Sequence, residues 1–276
     1  MTEFENIVIG KSAIPSLAVT VILMAAIPVV FFLYWRRKHK EQTKIGWLIA
    51  GAVGFIVSSR VLELGAHYLC IVTDNPVSRF INGRTAAYVL YGISMAGVFE
   101  ECGRHIVLKY IMKKNRTREN AVLYGIGHGG IEILAVTLPA IVIYLVSAIL
   151  FSQGTAEDAM KALKITEETA AAALPSVQAA AVFDFGLMAL NVIERLFAMP
   201  LHIGLTVIVF YGVINAKKSY LPLAILLHML MDTFPALYQR GVVPLWPVEV
   251  WAALCTAVIA FIALRLYRKM AGQSMK

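Results

Sequence analysis

The sequence predicts an all-α, polytopic membrane fold: about seven transmembrane helices around a polar intramembrane site, N-terminus outside and C-terminus inside. Three observations predict it. Of 276 residues, 59% are hydrophobic and only 15% charged, against about a quarter charged in a soluble domain. That balance excludes an ordinary soluble surface, and the chain is far too apolar for disorder. Apolar stretches of about 20 residues or more, enough to cross a bilayer, recur along the chain. Basic residues gather in alternate connections, which fixes an orientation.

The spans are expected at 12–35, 45–72, 84–112, 121–151, 179–214, 221–238 and 248–267. The first follows Glu3 and Glu5 rather than a basic segment, and it is long for a signal peptide, so it reads as an uncleaved span. Arg36, Arg37, Lys38, Lys40 and Lys44 follow it; Lys113, Lys114, Arg116 and Arg118 follow the third. Lys217 and Lys218 follow the fifth, and Arg265, Arg268, Lys269 and Lys276 end the chain. The intervening connections hold only Lys11, Arg79, Arg84, Lys161, Lys164 and Arg240. The dense face is therefore expected to be cytoplasmic in a multi-pass protein of the cell membrane. The net charge of +8 follows from topology and calls for no nucleic-acid partner.

Two stretches need comment. As straight helix, 179–214 would run about 54 Å against a hydrocarbon core of about 30 Å, so a break or kink is expected at Pro200. The polar connection 152–178 is expected outside. There Thr155 and Asp158 resemble a capping box, and the Ala-rich run to Leu174 favours helix until Pro175 stops it. One or two short interfacial helices are expected. No repeat divides the chain, so 1–276 reads as a single membrane domain with a motif-bearing core at about 84–240. Cys70, Cys102 and Cys255 form no pairing framework.

Polar residues inside the spans carry the functional information. A charge at the bilayer centre costs at least ~2.5 kcal/mol, yet the spans hold Arg60, Glu63, Glu100, Glu101, Arg104, Glu132, Glu194, Arg195 and Asp232, with His128, His202 and His228. Counted from the expected cytoplasmic ends, Glu100, His128, Glu132, His202, His228 and Asp232 all fall roughly 10–18 Å deep. Four helices thus bring an acid or imidazole to one layer. Glu100 and Arg104, His128 and Glu132, and His228 and Asp232 are each spaced i,i+4, one helix face apiece. Glu101 and Arg104 are i,i+3. A single intramembrane histidine is ordinarily explained by an interhelical hydrogen bond of ~0.6 kcal/mol; two at one depth, each with an i+4 carboxylate, point to function. Arg60 with Glu63, and Glu194 with Arg195, read as structural partners. Asp184, His67 and His39 read as interfacial or solvated, and His105 as a bystander. The glycines at 125, 127, 129 and 130 sit inside a span with no strand before them, so they imply close helix approach rather than a phosphate loop.

Three motifs now stand in order: Glu100-Glu101-x-x-Arg104, Tyr124-x-x-x-His128 and His228-x-x-x-Asp232. They resemble the EExxxR, FxxxH and HxxxN/D motifs of the CAAX-protease and bacteriocin-processing intramembrane endopeptidases, to which the PrsW proteases are related. The run Gly127-His128-Gly129-Gly130-Ile131-Glu132 and the additional His202 resemble the YhfC branch more closely. The arginine comes one residue early here, and tyrosine stands for phenylalanine. The resemblance implies an intramembrane endopeptidase whose glutamate activates a water. Glu100 would be the general base and Glu101 a second acid held by Arg104. His128 and His228 would polarise the carbonyl or oxyanion, Asp232 would orient His228, and Glu132 would orient His128. The site is expected to open toward the cytoplasm.

Two alternatives stand beside this expectation. In a zinc-dependent protease His128, His228 and either His202 or Glu132 would be ligands with a fourth position open, so the cofactor is none or zinc. A transporter or proton relay also uses buried acids and histidines, but usually with paired broken helices, and only one candidate break is visible. For a protease the partners are the bilayer and a membrane-embedded or membrane-tethered protein or peptide substrate.

Overall fold

The computed structural model describes residues 2–272; Lys276, counted above in the basic tail, lies outside them. Every regular element among the described residues is helical. After a helical turn at Thr2–Glu5 come α1 (Ala13–Lys38), α2 (Ile45–Val72), α3 (Pro76–Asn82) and α4 (Thr85–Ile106). They are followed by α5 (Arg118–Gln153), α6 (Ala156–Ala162), α7 (Glu167–Ala181), α8 (Phe185–Ile214), α9 (Tyr220–Gln239) and α10 (Leu245–Lys269).

Six of these helices are long and apolar enough to cross a membrane: α1, α2, α5, α8, α9 and α10. The expected span at 84–112 forms as α4, which continues through a wide π turn at Val107–Ile111. It has the length of a span but not the apolarity, because Glu100, Glu101 and Arg104 lie in one stretch of it. Large apolar side chains such as Val30, Leu226 and Leu264 stand exposed along the long helices. That surface belongs against lipid rather than water, and the protein is a multi-pass membrane protein.

Two expectations about proline are corrected. The chain does not break at Pro200: α8 is continuous, and it is shortened instead by starting at Phe185, where the Asp184 carboxylate accepts a hydrogen bond from the Leu187 N–H at 2.8 Å. Nor does Pro175 end the Ala-rich helix. α7 runs on to Ala181 because Val177, Ala180 and Ala181 beyond the proline are buried, and their burial outweighs the missing hydrogen bond. The Thr155 cap forms as expected, with its hydroxyl accepting from the Asp158 N–H.

The chain divides into two compact units. One comprises Met1–Ile27 and Ile133–Arg195, the other Pro28–Glu132 and Leu196–Lys276. In the first, Phe4, Met160 and Val177 make a small apolar core, Phe4 stacks on Phe151, and the Gly10 N–H donates to Ala181 O at 2.8 Å. The 152–178 connection is thus a packed structure of two helices.

The second unit holds every motif. From Ala198 to Gly212, α8 is almost continuously buried. Glycines let backbones touch on the neighbouring helices. A Cβ on Gly127 of α5 would stand 2.0 Å from Leu48 O of α2, and one on Gly51 of α2 would stand 2.1 Å from Tyr124 O. A Cβ on Gly125 would stand 2.6 Å from Ile203 Cα of α8, and one on Gly97 of α4 2.8 Å from the Met229 side chain of α9. The 125–130 glycines therefore do what their place in a span implies.

Candidate functional site

Three residues of α4 start the site. Glu100 and Glu101 are adjacent, so their side chains diverge by about 100° around the helix, and each meets a different histidine. The first faces α5: His128 Nε2 lies 3.0 Å from Glu100 Oε2. The second faces α9: His228 Nδ1 donates to Glu101 Oε1 at 2.9 Å. Arg104, one turn on, donates to the same Glu101 oxygen. Glu101, Arg104 and His128 are fully buried, and Glu100, His202 and His228 nearly so.

His202 of α8 completes the cluster. Its Nδ1 lies 3.4 Å from Arg104 Nη2, and its Nε2 pairs with a Glu132 carboxylate oxygen. Arginine only donates, so Nδ1 is the lone-pair nitrogen and Nε2, which carries the proton, faces Glu132 as an ion-pair contact. The three imidazoles form a row: His128 to His202 is 5.1 Å between ring centroids, and His202 to His228 is 5.9 Å. Phe55 packs edge-on against His128 at 5.1 Å, and the Tyr124 ring stacks on it at 6.3 Å. His228 Nε2 lies 3.5 Å from Asp232 Oδ2, so a carboxylate faces each of its ring nitrogens.

The sequence-derived set is thus brought together on α4, α5, α8 and α9. Two partnerships differ from expectation. Glu132 sits against His202 rather than His128, because His128 turns toward Glu100. Glu63 pairs with His67, at 3.4 Å, while Arg60 stays exposed. Glu63 and His67 keep the ordinary i,i+4 relation across Leu64–His67, and Arg60 lies within the wide turns at Ile56–Glu63, exposed.

A metal would find a suitable donor set here. Glu100, His128 and His202 each offer a ligand atom, and these atoms lie within 4.8 Å of one another. Two imidazoles and a carboxylate suit zinc with an open fourth position. The residues fit on a further observation: His128 Nδ1 is buried without a hydrogen-bond partner, a state that native interiors rarely tolerate. Tyr91 and Gly92 were not singled out by sequence reasoning, and His67 was read there as interfacial or solvated. His67 donates or accepts at Tyr91 Oη, 2.9 Å away, and lines a cavity with Tyr91, Gly92 and Asp232. The i,i+4 spacing of Glu63 and His67, the same as that of the motif pairs, was the signal available.

Comparison with known proteins points the same way. The model of the YhfC intramembrane metalloprotease family matches residues 23–269. The membrane protein YhfC of Bacillus subtilis (strain 168) is 30% identical over 254 residues, covering 92% of this chain and 96% of that protein. No solved structure matches.

Proposed function

Because the chain belongs to the YhfC intramembrane metalloprotease family, we propose that Glu100, His128 and His202 hold a catalytic divalent metal, zinc by its donor chemistry, for peptide-bond hydrolysis within the bilayer. The observation that carries this is the buried Glu-His-His group, with its ligand atoms within 4.8 Å of one another. Such a metal, when bound, polarises a carbonyl and makes water acidic enough to attack near neutral pH.

The surrounding residues divide the remaining work. Glu132 lies against the Nε2 side of the His202 ring and leaves Nδ1 as the lone-pair nitrogen, as an outer carboxylate does for a ligating histidine; to ligate, Nδ1 would give up its 3.4 Å contact with Arg104 Nη2. Arg104 balances the buried charge of Glu101. Glu101 keeps one oxygen, Oε2, without a partner and available to accept a proton from the attacking water. His228 bridges Glu101 and Asp232 and hands a proton to the departing amine. In this reading Glu100 is a ligand, and the base is Glu101.

A second reading rests on the 3.0 Å contact between His128 and Glu100. That pair would activate water by itself, with Glu100 as base. Metal content of the purified protein, measured with cleavage of a membrane-embedded substrate before and after chelation, separates the two. Stoichiometric zinc lost together with activity supports the first; full activity of metal-free protein overturns it. Cleavage that survives Glu100→Gln refutes both.

A further inference from the structure

The site is buried, yet hydrolysis consumes one water for every peptide bond cut. Glu101, Arg104 and His128 expose nothing. The structure nevertheless holds a cavity of about 230 Å³ that ends on Asp232, the residue 3.5 Å from His228. Its other wall residues include His67 of α2, Tyr88, Tyr91 and Gly92 of α4, and Gln239 at the end of α9. From Tyr88 inward to Ala96 it follows two turns of α4, about 12 Å. The cavity therefore runs from the helix ends opposite the basic loops as far as Asp232, whose Oδ2 lies 3.5 Å from His228 Nε2.

Its lining is mixed: His67, Tyr88, Tyr91, Asp232 and Gln239 supply polar groups along a wall otherwise made by Ile71, Ile93, Ala96, Pro235 and Ala236. A cavity of about 10–15 Å³ or more with a few polar partners is enough to hold a water. The wall is braced by a chain from buried Glu63 through half-buried His67 to Tyr91, Glu63 to His67 at 3.4 Å and His67 to Tyr91 at 2.9 Å. Glu63 Oε2 is buried with no hydrogen-bond partner, which a water would supply. Space is left at Gly92, where an added Cβ would meet nothing within 4 Å.

We propose that this cavity is the path by which water reaches the buried site, entering from the membrane face opposite the basic loops. The proposal rests on the hydrolytic reading above and reverses the cytoplasmic opening expected from sequence.

The test uses the full-length protein with Cys70, Cys102 and Cys255 replaced by serine or alanine. Gly92→Cys is exposed to a charged, membrane-impermeant methanethiosulfonate, and Asp74→Cys, at an exposed position near the same helix ends, reports the sidedness of that face. Gly92→Cys is expected to react from the same side as Asp74→Cys. The attached group should lower kcat at least tenfold with KM and metal content unchanged, and a reducing thiol should restore it. Gly92→Trp should act likewise, and Gly92→Ala should not. No reaction, reaction only from the opposite side, or modification with undiminished kcat overturns the path. A rise in KM alone also overturns it, since that would make the cavity a substrate pocket. The labelling arm reads water access even if no cleavage is found. Conversely, cleavage that survives Glu100→Gln refutes the catalytic assignment without touching the labelling result.

Discussion

Gly127→Ala is the sharpest test of how this site is held. The new methyl group would stand 2.0 Å from Leu48 O. To restore a carbon–oxygen contact of about 3.4 Å, α2 and α5 must part by about 1.4 Å. No flexible side-chain end is available to yield, because the opposing atom is backbone. Overpacking of this kind costs about 1–3 kcal/mol, or a lowered Tm of about 2–4 °C per kcal/mol for a chain near this size. The functional loss should exceed the stability loss. His128 is the next residue, and its 3.0 Å contact with Glu100 depends on the position of α5. A displacement of about 1 Å costs on the order of 100-fold in rate. Thermal unfolding in lipid nanodiscs and cleavage of a membrane-embedded substrate read the two effects separately. Gly46→Ala is the control, since nothing lies within 4 Å of its added Cβ. A Gly127→Ala protein as stable and as active as the Gly46→Ala protein would refute the reasoning.

Other expectations follow from the same geometry. His128→Ala and His202→Ala should each lose bound metal and cleavage, whereas His228→Ala should lose cleavage at least 100-fold and keep its metal, as read by mass spectrometry of the purified protein. Arg104→Ala leaves the fully buried Glu101 without its cation and should destabilise the protein by about 3–5 kcal/mol; Arg104→Ala,Glu101→Leu should recover much of that stability, though not activity. Glu132→Gln should weaken metal binding about 10–100-fold through loss of the carboxylate behind His202, visible in a zinc titration against a competing chelator.

Much of this site is written in the sequence. The placement of acids and imidazoles on four helices at one depth follows from hydropathy and residue count, and the His228–Asp232 pair follows from i,i+4 spacing. What spacing cannot give is the choice among partners across helices. His128 and Glu132 share a face, yet each looks to a different neighbour, Glu100 and His202, because interhelical distance decides once both lie on the buried side. In the metal reading proposed above, that difference makes Glu100 a ligand and Glu101 the base. The expected pairing of Arg60 with Glu63 is a second loss: Arg60, within the wide turns at Ile56–Glu63, stays exposed, and Glu63 keeps an ordinary i,i+4 partner in His67. Pro175 was legible as a residue but not in effect, since tertiary burial carried α7 through it, and α8 runs past Pro200 without the break that was one of the two outcomes expected there.

The pair of Arg104 with Glu101 has a bearing on how the chain is made. α4 is the one long motif helix whose composition does not by itself suit hydrocarbon, and its partners His202 and His228 lie about a hundred residues further along, still on the ribosome when α4 leaves it. By carrying its own counter-charge three positions on, α4 can be handed to the bilayer with one buried acid already neutralised. Glu100 alone then waits for later helices to arrive.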